Sequence, residues 1–164
     1  MKKYKDRQYA VLGLGIFGST VAKTLSKFNC EVIAVDTDIK CVDRMADIVT
    51  QAIQCDITDI NQLRAAGIQD CDIAIVSMGS HLEESVMAII NLKELGVPYI
   101  VAKAKNKRYM QIFKELGANK VVRPEKEMGV RRFPKNIFAG MFGFEKKAYF
   151  EAEEGSEKAP KVEF

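Results

Sequence analysis

The sequence has little of what several function classes require. It carries one histidine, His81, together with four cysteines and four prolines in 164 residues. No apolar run approaches the roughly 20 residues needed to span a bilayer, so the chain is not expected to cross a membrane by itself. The cysteines stand at 30, 41, 55 and 71, with no C-x-x-C pair and no histidine beside them, and their separations of 11, 14 and 16 fit no zinc knuckle. They read as reduced structural thiols, which places the chain in the cytoplasm. The amino terminus has basic residues before an apolar stretch, but Asp6 intrudes, the stretch is rich in glycine and no small-x-small cleavage site follows. It reads as a solvated leader into a first strand rather than a secretory signal. With 48% hydrophobic and 29% charged residues, the composition is globular and excludes wholesale disorder, collagen and disulfide scaffolds. The length supports one domain with a sizeable core.

A formal charge of +3 conceals an asymmetry. Residues 1–10 carry +3, residues 31–96 carry −8 and residues 99–135 carry +8. The basic block lacks an aromatic stacking pattern and a reading helix, and the acidic block would repel phosphate backbones, so no nucleic-acid partner is expected. Solvated surface charge and self-association between opposite faces remain as readings of the two blocks.

Short apolar runs alternate with amphipathic stretches. Strands are predicted at Tyr9–Leu14, Glu31–Val35, Thr50–Gln54, Asp72–Ser77, Tyr99–Ala104 and Lys120–Arg123. Helices are predicted at Phe17–Phe28, Asp38–Asp47, Asp59–Ala66, Leu82–Leu95, Lys107–Leu116 and roughly Glu125–Arg132. The runs Val32–Val35 and Ile73–Val76 are continuously apolar, as a sheet buried on both faces requires. Gly67, Gly96 and Gly117 each follow an apolar helical face, the position of a left-handed helix end. Strict alternation predicts an α/β fold with a Rossmann-like, doubly wound, parallel six-stranded sheet. Beyond residue 132 the pattern fails: Pro134 interrupts, residues 138–144 are apolar but broken by glycine, and residues 145–164 are polar. Residues 1–132 therefore read as the domain and 133–164 as an arm or tail.

The string Gly13-Leu14-Gly15-Ile16-Phe17-Gly18 follows the first strand and opens the first helix. The first glycine permits a tight turn, the second lets a pyrophosphate approach the backbone, and the third lets helix and strand pack closely. Unpaired N–H groups at the helix start, where Ile16 and Phe17 stand, then face the phosphates. Asp36 lies at the end of the second strand, 18 residues beyond Gly18 and followed by Thr37, where a carboxylate accepts from ribose hydroxyls. It would repel a 2′-phosphate, which favours NAD or an adenosine nucleotide over NADP. Two further loops occupy carboxyl ends of strands: Cys55-Asp56-Ile57-Thr58 and Met78-Gly79-Ser80. Asp56 and Thr58 read equally as caps of the next helix or as adenine contacts. Gly79 would allow close approach over a ligand, and Lys103 is either a cation at the crevice or a solvated strand end.

A dehydrogenase needs a proton donor or acceptor beside the nicotinamide and a substrate-binding region, and one histidine with no second domain makes both hard to find. Tyr99 and Lys103 match the Y-x-x-x-K pattern of short-chain dehydrogenases, but that pair works from one helix face. On a strand the two would stand about 13 Å apart. Residues with catalytic roles are not identified, and no enzymatic activity is expected.

Taken together, the glycine string at 13–18, Val35-Asp36, Cys55-Asp-Ile-Thr58, Ile75-Val-Ser-Met-Gly79, Val101-Ala-Lys103 and Arg123-Pro-Glu-Lys-Glu-Met-Gly129 resemble the RCK, or TrkA-N type, nucleotide-binding domain of Ktr/Trk potassium uptake regulatory proteins. The resemblance covers residues 7 to about 132. It implies a domain that binds ATP, ADP, AMP or NAD(H) without chemistry, assembles as dimers within a ring, up to an octamer, and docks on the cytoplasmic face of an integral membrane potassium-translocating subunit. It also implies that Gly13, Gly15 and Gly18 cradle phosphates and that Asp36 holds ribose. Asp56 and Thr58 would border adenine, and Lys103 would approach the phosphates. Glu125 resembles a family glutamate near the phosphates and a divalent cation; as a bare residue it reads equally as a first-turn carboxylate. The chain departs from the family at Ile16, where arginine often stands, and in lacking the usual C-terminal ligand-binding subdomain; a short form, a truncated form or half of a split system would account for the latter. The alternative left open is an NAD-dependent oxidoreductase whose substrate domain a partner supplies.

Overall fold

Strands and helices alternate through residues 4–124, the part of the chain described by the computed structural model. The strands are β1 (Gln8–Leu12), β2 (Glu31–Asp36), β3 (Gln51–Gln54), β4 (Ile73–Val76), β5 (Tyr99–Lys103) and β6 (Lys120–Val122). They form one sheet in the order β3-β2-β1-β4-β5-β6, with every pairing parallel. Between them run α1 (Ile16–Lys27), α2 (Ile39–Met45), α3 (Ile60–Ala65), α4 (Leu82–Glu94) and α5 (Lys107–Glu115). The chain winds outward from β1 to β3, returns to β4 and winds outward again, so the connections diverge between β1 and β4 and leave a crevice at their carboxyl ends.

The physical basis is burial on both faces. All four residues of β4 are buried, as are the last four of β1, whereas the edge strand β3 is exposed at both ends. Tyr9, Leu12, Leu25, Ile75, Leu92, Ile100 and Phe113 are fully buried, each side chain contributing about 1.5–3 kcal/mol of transfer free energy. The register sets the crevice: Leu12 pairs with Val35 on one side and Val76 on the other, and Asp36 pairs with Gln54. The residues that follow these pairs therefore emerge along one edge.

The expected α/β architecture is the observed one, with ends that differ for local reasons. β1 stops at Leu12 rather than Leu14 because Gly13, at φ +93°, turns the chain away. α2 and α3 begin one residue later than expected because Asp38 and Asp59 are their N-caps. The helix-ending glycines 67, 96 and 117 all adopt positive φ. Within the expected solvated leader, residues 4–6 form a 3₁₀ turn with Lys5 and Asp6 exposed: Tyr4 meets Phe28 edge-on at 6.5 Å between ring centroids, and its carbonyl accepts from the Tyr9 hydroxyl at 3.0 Å. The expected helix near 125–132 and the arm from 133 lie outside the described residues. No helix among the described residues is long and apolar enough to cross a membrane.

Candidate functional site

The loops leaving β1, β2, β3 and β4 surround a cavity of about 570 Å³. Gly13, Asp36, Thr37, Asp56, Ile57, Thr58 and Met78 line it, all of them candidates from the sequence, and three residues of α4 join them: Glu83, Glu84 and Met87. Gly15, Ile16, Phe17, Gly18, Gly79 and Lys103 are not in that lining. Glu125, the candidate for phosphate and cation contact, lies outside the described residues.

Each glycine of the motif does different work. A Cβ on Gly13 would come within 2.6 Å of Met78 Cγ and 2.9 Å of Ser77 Oγ, and one on Gly18 would fall on the Gly13 carbonyl. These two let the strand end, α1 and the start of the β4 loop close together. A Cβ on Gly15 would meet nothing within 4 Å, so the approach to the α1 amino terminus is open there. Gly15 is also the N-cap of α1 and provides no side-chain acceptor to its first-turn amides. Phe17 and Gly18 are buried, while Ile16 is 91% exposed.

Asp36 is held by backbone: Oδ2 accepts from the Leu14 amide at 2.7 Å and Oδ1 from the Asp38 amide at 2.8 Å. Asp56 Oδ1 accepts from both the amide (2.9 Å) and hydroxyl (2.7 Å) of Thr58, closing a tight turn. The capping alternative is settled by Asp59, which accepts from the Asn61 and Gln62 amides and so caps α3 in place of Asp56 or Thr58. Lys103 is half-buried rather than a solvated strand end: its ammonium lies 5.5 Å over the Phe17 ring, and a Cβ on Gly79 would approach its Cγ to 3.0 Å.

Three residues that sequence reasoning missed hold the loops in place. The Ser77 hydroxyl donates to the Leu12 carbonyl at 2.9 Å and is also within bonding reach of the Gly13 carbonyl. Ser85 Oγ donates to the Met78 carbonyl at 2.8 Å, and Asn91 Nδ2 to the Ile57 carbonyl at 3.1 Å. Ser85 and Asn91 are buried polar residues of α4 among Ala88, Ile89 and Leu92. A polar residue on an otherwise apolar helical face was the available signal, because such a group must find a partner when buried.

The four cysteines are free thiols. Burial, with Asp56 and Asp59 adding to it, pushes the Cys55 thiol up to about 11, which disfavours the nucleophilic thiolate near neutrality. Among the described residues no group of three or more His, Cys, Asp or Glu side chains could hold a metal ion. His81, the N-cap of α4, is exposed, with Nδ1 at 3.3 Å from Ser80 Oγ.

Residues 9–124 match the family model of the TrkA-N domain, and residues 119–164 match that of the LemA family. The chain is 36% identical over 131 residues to the Ktr system potassium uptake protein A of Bacillus subtilis (strain 168), covering 80% of this chain and 59% of that protein. It is 37% identical, with the same coverage, to the Ktr system potassium uptake protein C of the same organism. It thus spans about three-fifths of the length of these relatives. Among solved structures, the TrkA-N domain of inner membrane protein ybaL from Escherichia coli has a TM-score of 0.68 at 18% identity, covering 75% of this chain and 91% of that one. The GsuK channel bound to NAD has a TM-score of 0.66 at 15% identity, covering 75% and 22%. The Shewanella denitrificans Kef CTD in AMP-bound form has a TM-score of 0.61 at 19% identity, covering 90% and 87%. At these identities the structural likeness establishes the fold.

Proposed function

The chain belongs to the TrkA-N domain family, and on that premise we propose that it is a nucleotide-binding regulatory subunit that gates a potassium-translocating membrane protein. The observation that carries this reading is the crevice at the carboxyl ends of β1 and β4, where Gly13 and a backbone-held Asp36 carboxylate line a cavity of about 570 Å³ and the chain runs from Gly13 through an unobstructed Gly15 into α1. A dinucleotide or adenine nucleotide matches each part. Phosphates would lie on the amides of the Gly13–Gly18 turn, with Ile16 and Phe17 beside them, and ribose hydroxyls would donate to Asp36 next to Thr37. Adenine would lie among Asp56, Ile57, Thr58 and Met78. Lys103, backed by Gly79, would turn from Phe17 toward the phosphates, and Glu125 would meet the phosphates and an accompanying divalent cation.

The ligand class is NAD(H), ATP, ADP or AMP, a range supported by the NAD of GsuK and the AMP of the Kef CTD. The potassium role is supported by the Ktr relatives. In this reading no bond is made or broken. The nucleotide acts by binding one arrangement of paired domains more tightly than another, the condition for any ligand to shift an equilibrium. The subunit is cytoplasmic, forms a homodimer within a larger ring, and reaches the inner face of the membrane through its partner. Residues 1–132 form the nucleotide-binding part and 133–164 an arm.

The test is potassium flux through the reconstituted membrane partner, with and without nucleotide. Nucleotide-dependent flux is expected, and identical flux in both conditions removes the regulatory role. Hydride transfer in a spectrophotometric screen would put an NAD-dependent oxidoreductase in its place.

A further inference from the structure

The two oxygens of the Asp56 carboxylate are used unequally. Oδ1 accepts from the Thr58 amide at 2.9 Å and from the Thr58 hydroxyl at 2.7 Å, so both of its lone pairs are engaged. Oδ2 accepts from no described residue. The main chain is fixed at the same point: the Asp56 amide donates to Gln62 Oε1 at 2.9 Å and Gln62 Nε2 donates to Asp59 Oδ2 at 3.2 Å, which ties the loop to α3. Asp56 is half-buried and lines the cavity of about 570 Å³, and Oδ2 is the oxygen it has left to offer there.

The sheet sets this acceptor on the base side of a nucleotide. β1, β2 and β3 are neighbours spaced about 4.8 Å apart, and at or just beyond their carboxyl ends stand Gly13, Asp36 and Asp56, in that order across the sheet. Asp36 is joined to the glycine turn through the Leu14 amide at 2.7 Å, and to the end of β3 through the Cys55 amide, which donates to the Asp36 carbonyl at 2.9 Å. With phosphates on the Gly13–Gly18 turn and ribose at Asp36, the next unit of the ligand, the base, meets the end of β3. Ile57 and Met78 line the same cavity and give a flat ring apolar surface.

Resting on the nucleotide-binding reading above, we infer that Asp56 determines which base the crevice takes, its Oδ2 accepting a hydrogen bond from the exocyclic 6-amino group of a 6-aminopurine. A carboxylate only accepts, so it selects a ring edge that donates. The single open oxygen then decides between purines. Guanine donates from N1–H and N2–H side by side, a pair that suits both oxygens of a carboxylate at once, and here Oδ1 is already filled. The amino group of adenine needs one oxygen. A purine without that donor leaves a desolvated carboxylate oxygen unpaired, which costs more than the loss of an ordinary contact.

The experiment is calorimetric titration of the full chain, wild type and Asp56→Asn, with AMP, GMP and purine riboside 5′-monophosphate, which differs from AMP only in carrying hydrogen in place of the amino group. Asparagine keeps a carbonyl oxygen for Thr58 and turns the open position from acceptor to donor. In the wild type AMP is expected to bind at least about tenfold more tightly than either of the others. In Asp56→Asn the AMP and purine riboside affinities should come within about threefold of each other, through weaker AMP binding. Purine riboside 5′-monophosphate bound at its wild-type strength shows that the variant is folded, and the wild-type comparison decides the matter even where the variant fails to fold. AMP no tighter than either competitor in the wild type, or a preference unchanged in the variant, overturns the inference and leaves the nucleotide reading standing. No binding of any of the three to the wild type overturns both.

Discussion

The Leu14 amide donates to Asp36 Oδ2 at 2.7 Å, so the turn that follows β1 and the carboxylate that ends β2 are one unit. The second oxygen of Asp36 is occupied by the Asp38 amide, which fixes the carboxylate plane. A group held from two sides by backbone keeps its direction without a ligand, and a receptor for ribose hydroxyls needs that preorganisation. The same bonds make Asp36 structural, so its substitution has two separable effects.

Asp36→Ala is expected to leave two backbone donors without their acceptor and lower stability by about 1–3 kcal/mol. Asp36→Asn, which keeps a carbonyl acceptor, should cost less stability. Both should weaken AMP or NAD⁺ binding about 10- to 100-fold, because the charge-assisted bond to ribose proposed at this position would be lost in either case. Denaturant unfolding measures the first effect and calorimetry the second; unaltered affinity in both variants would show that ribose is not held at this position.

Asn91→Leu should act on the site from a distance. Its amide donates to the Ile57 carbonyl from within the buried face of α4, and leucine leaves that carbonyl without a donor. The expected loss is about 1–3 kcal/mol in the denaturant midpoint, with faster amide exchange across residues 55–58. Unchanged exchange in that loop would show that something other than Asn91 positions it.

Much of this arrangement was legible in the sequence, and the division follows the range of the forces. The glycine turn, the acid ending β2 and the alternation of elements are local or periodic, so spacing alone revealed them. Asp56 and Thr58 stayed ambiguous because two acids three residues apart both suit a cap; only the backbone direction shows Asp59 in that role. The position of the Lys103 side chain depends on Phe17 across the sheet-to-helix packing, and the contribution of Glu83, Glu84 and Met87 depends on how α4 leans over the cavity. Neither is written in any short window of residues.

The cysteines give a pH signature. Burial pushes the thiols of Cys30 and Cys71 up to about 12 and that of Cys55 up to about 11, against an ordinary value of 9.0. The native state therefore retains protons that the unfolded chain releases. Stability from this source is complete below about pH 9 and is lost as pH rises toward 11–12, so the denaturant midpoint should fall across that interval. Thiol titration with a chromogenic disulfide near pH 8 should modify these three buried cysteines only after denaturation. Rapid native modification of any of them would contradict their burial.

Gly15 and Gly18 offer the sharpest separation of stability from binding, because they are three residues apart in one motif and their surroundings are opposite. A methyl group on Gly18 would overlap the Gly13 carbonyl, a backbone atom that cannot swing aside, so Gly18→Ala must displace α1 from β1. The expected cost is about 3 kcal/mol or more, seen as a large drop in thermal midpoint, since overpacking against rigid backbone exceeds the usual range for cores. A methyl group on Gly15 would meet no atom within 4 Å, and the backbone there sits at φ −66°, which alanine adopts freely. Gly15→Ala should therefore fold with an unchanged midpoint, yet in the proposed binding mode its methyl group stands in the path of phosphate oxygens to the α1 amides, so AMP and NAD⁺ should weaken about tenfold or more. Wild-type affinity in folded Gly15→Ala would place the phosphates elsewhere, whereas a stability loss equal to that of Gly18→Ala would mean that the turn is packed differently from the one described.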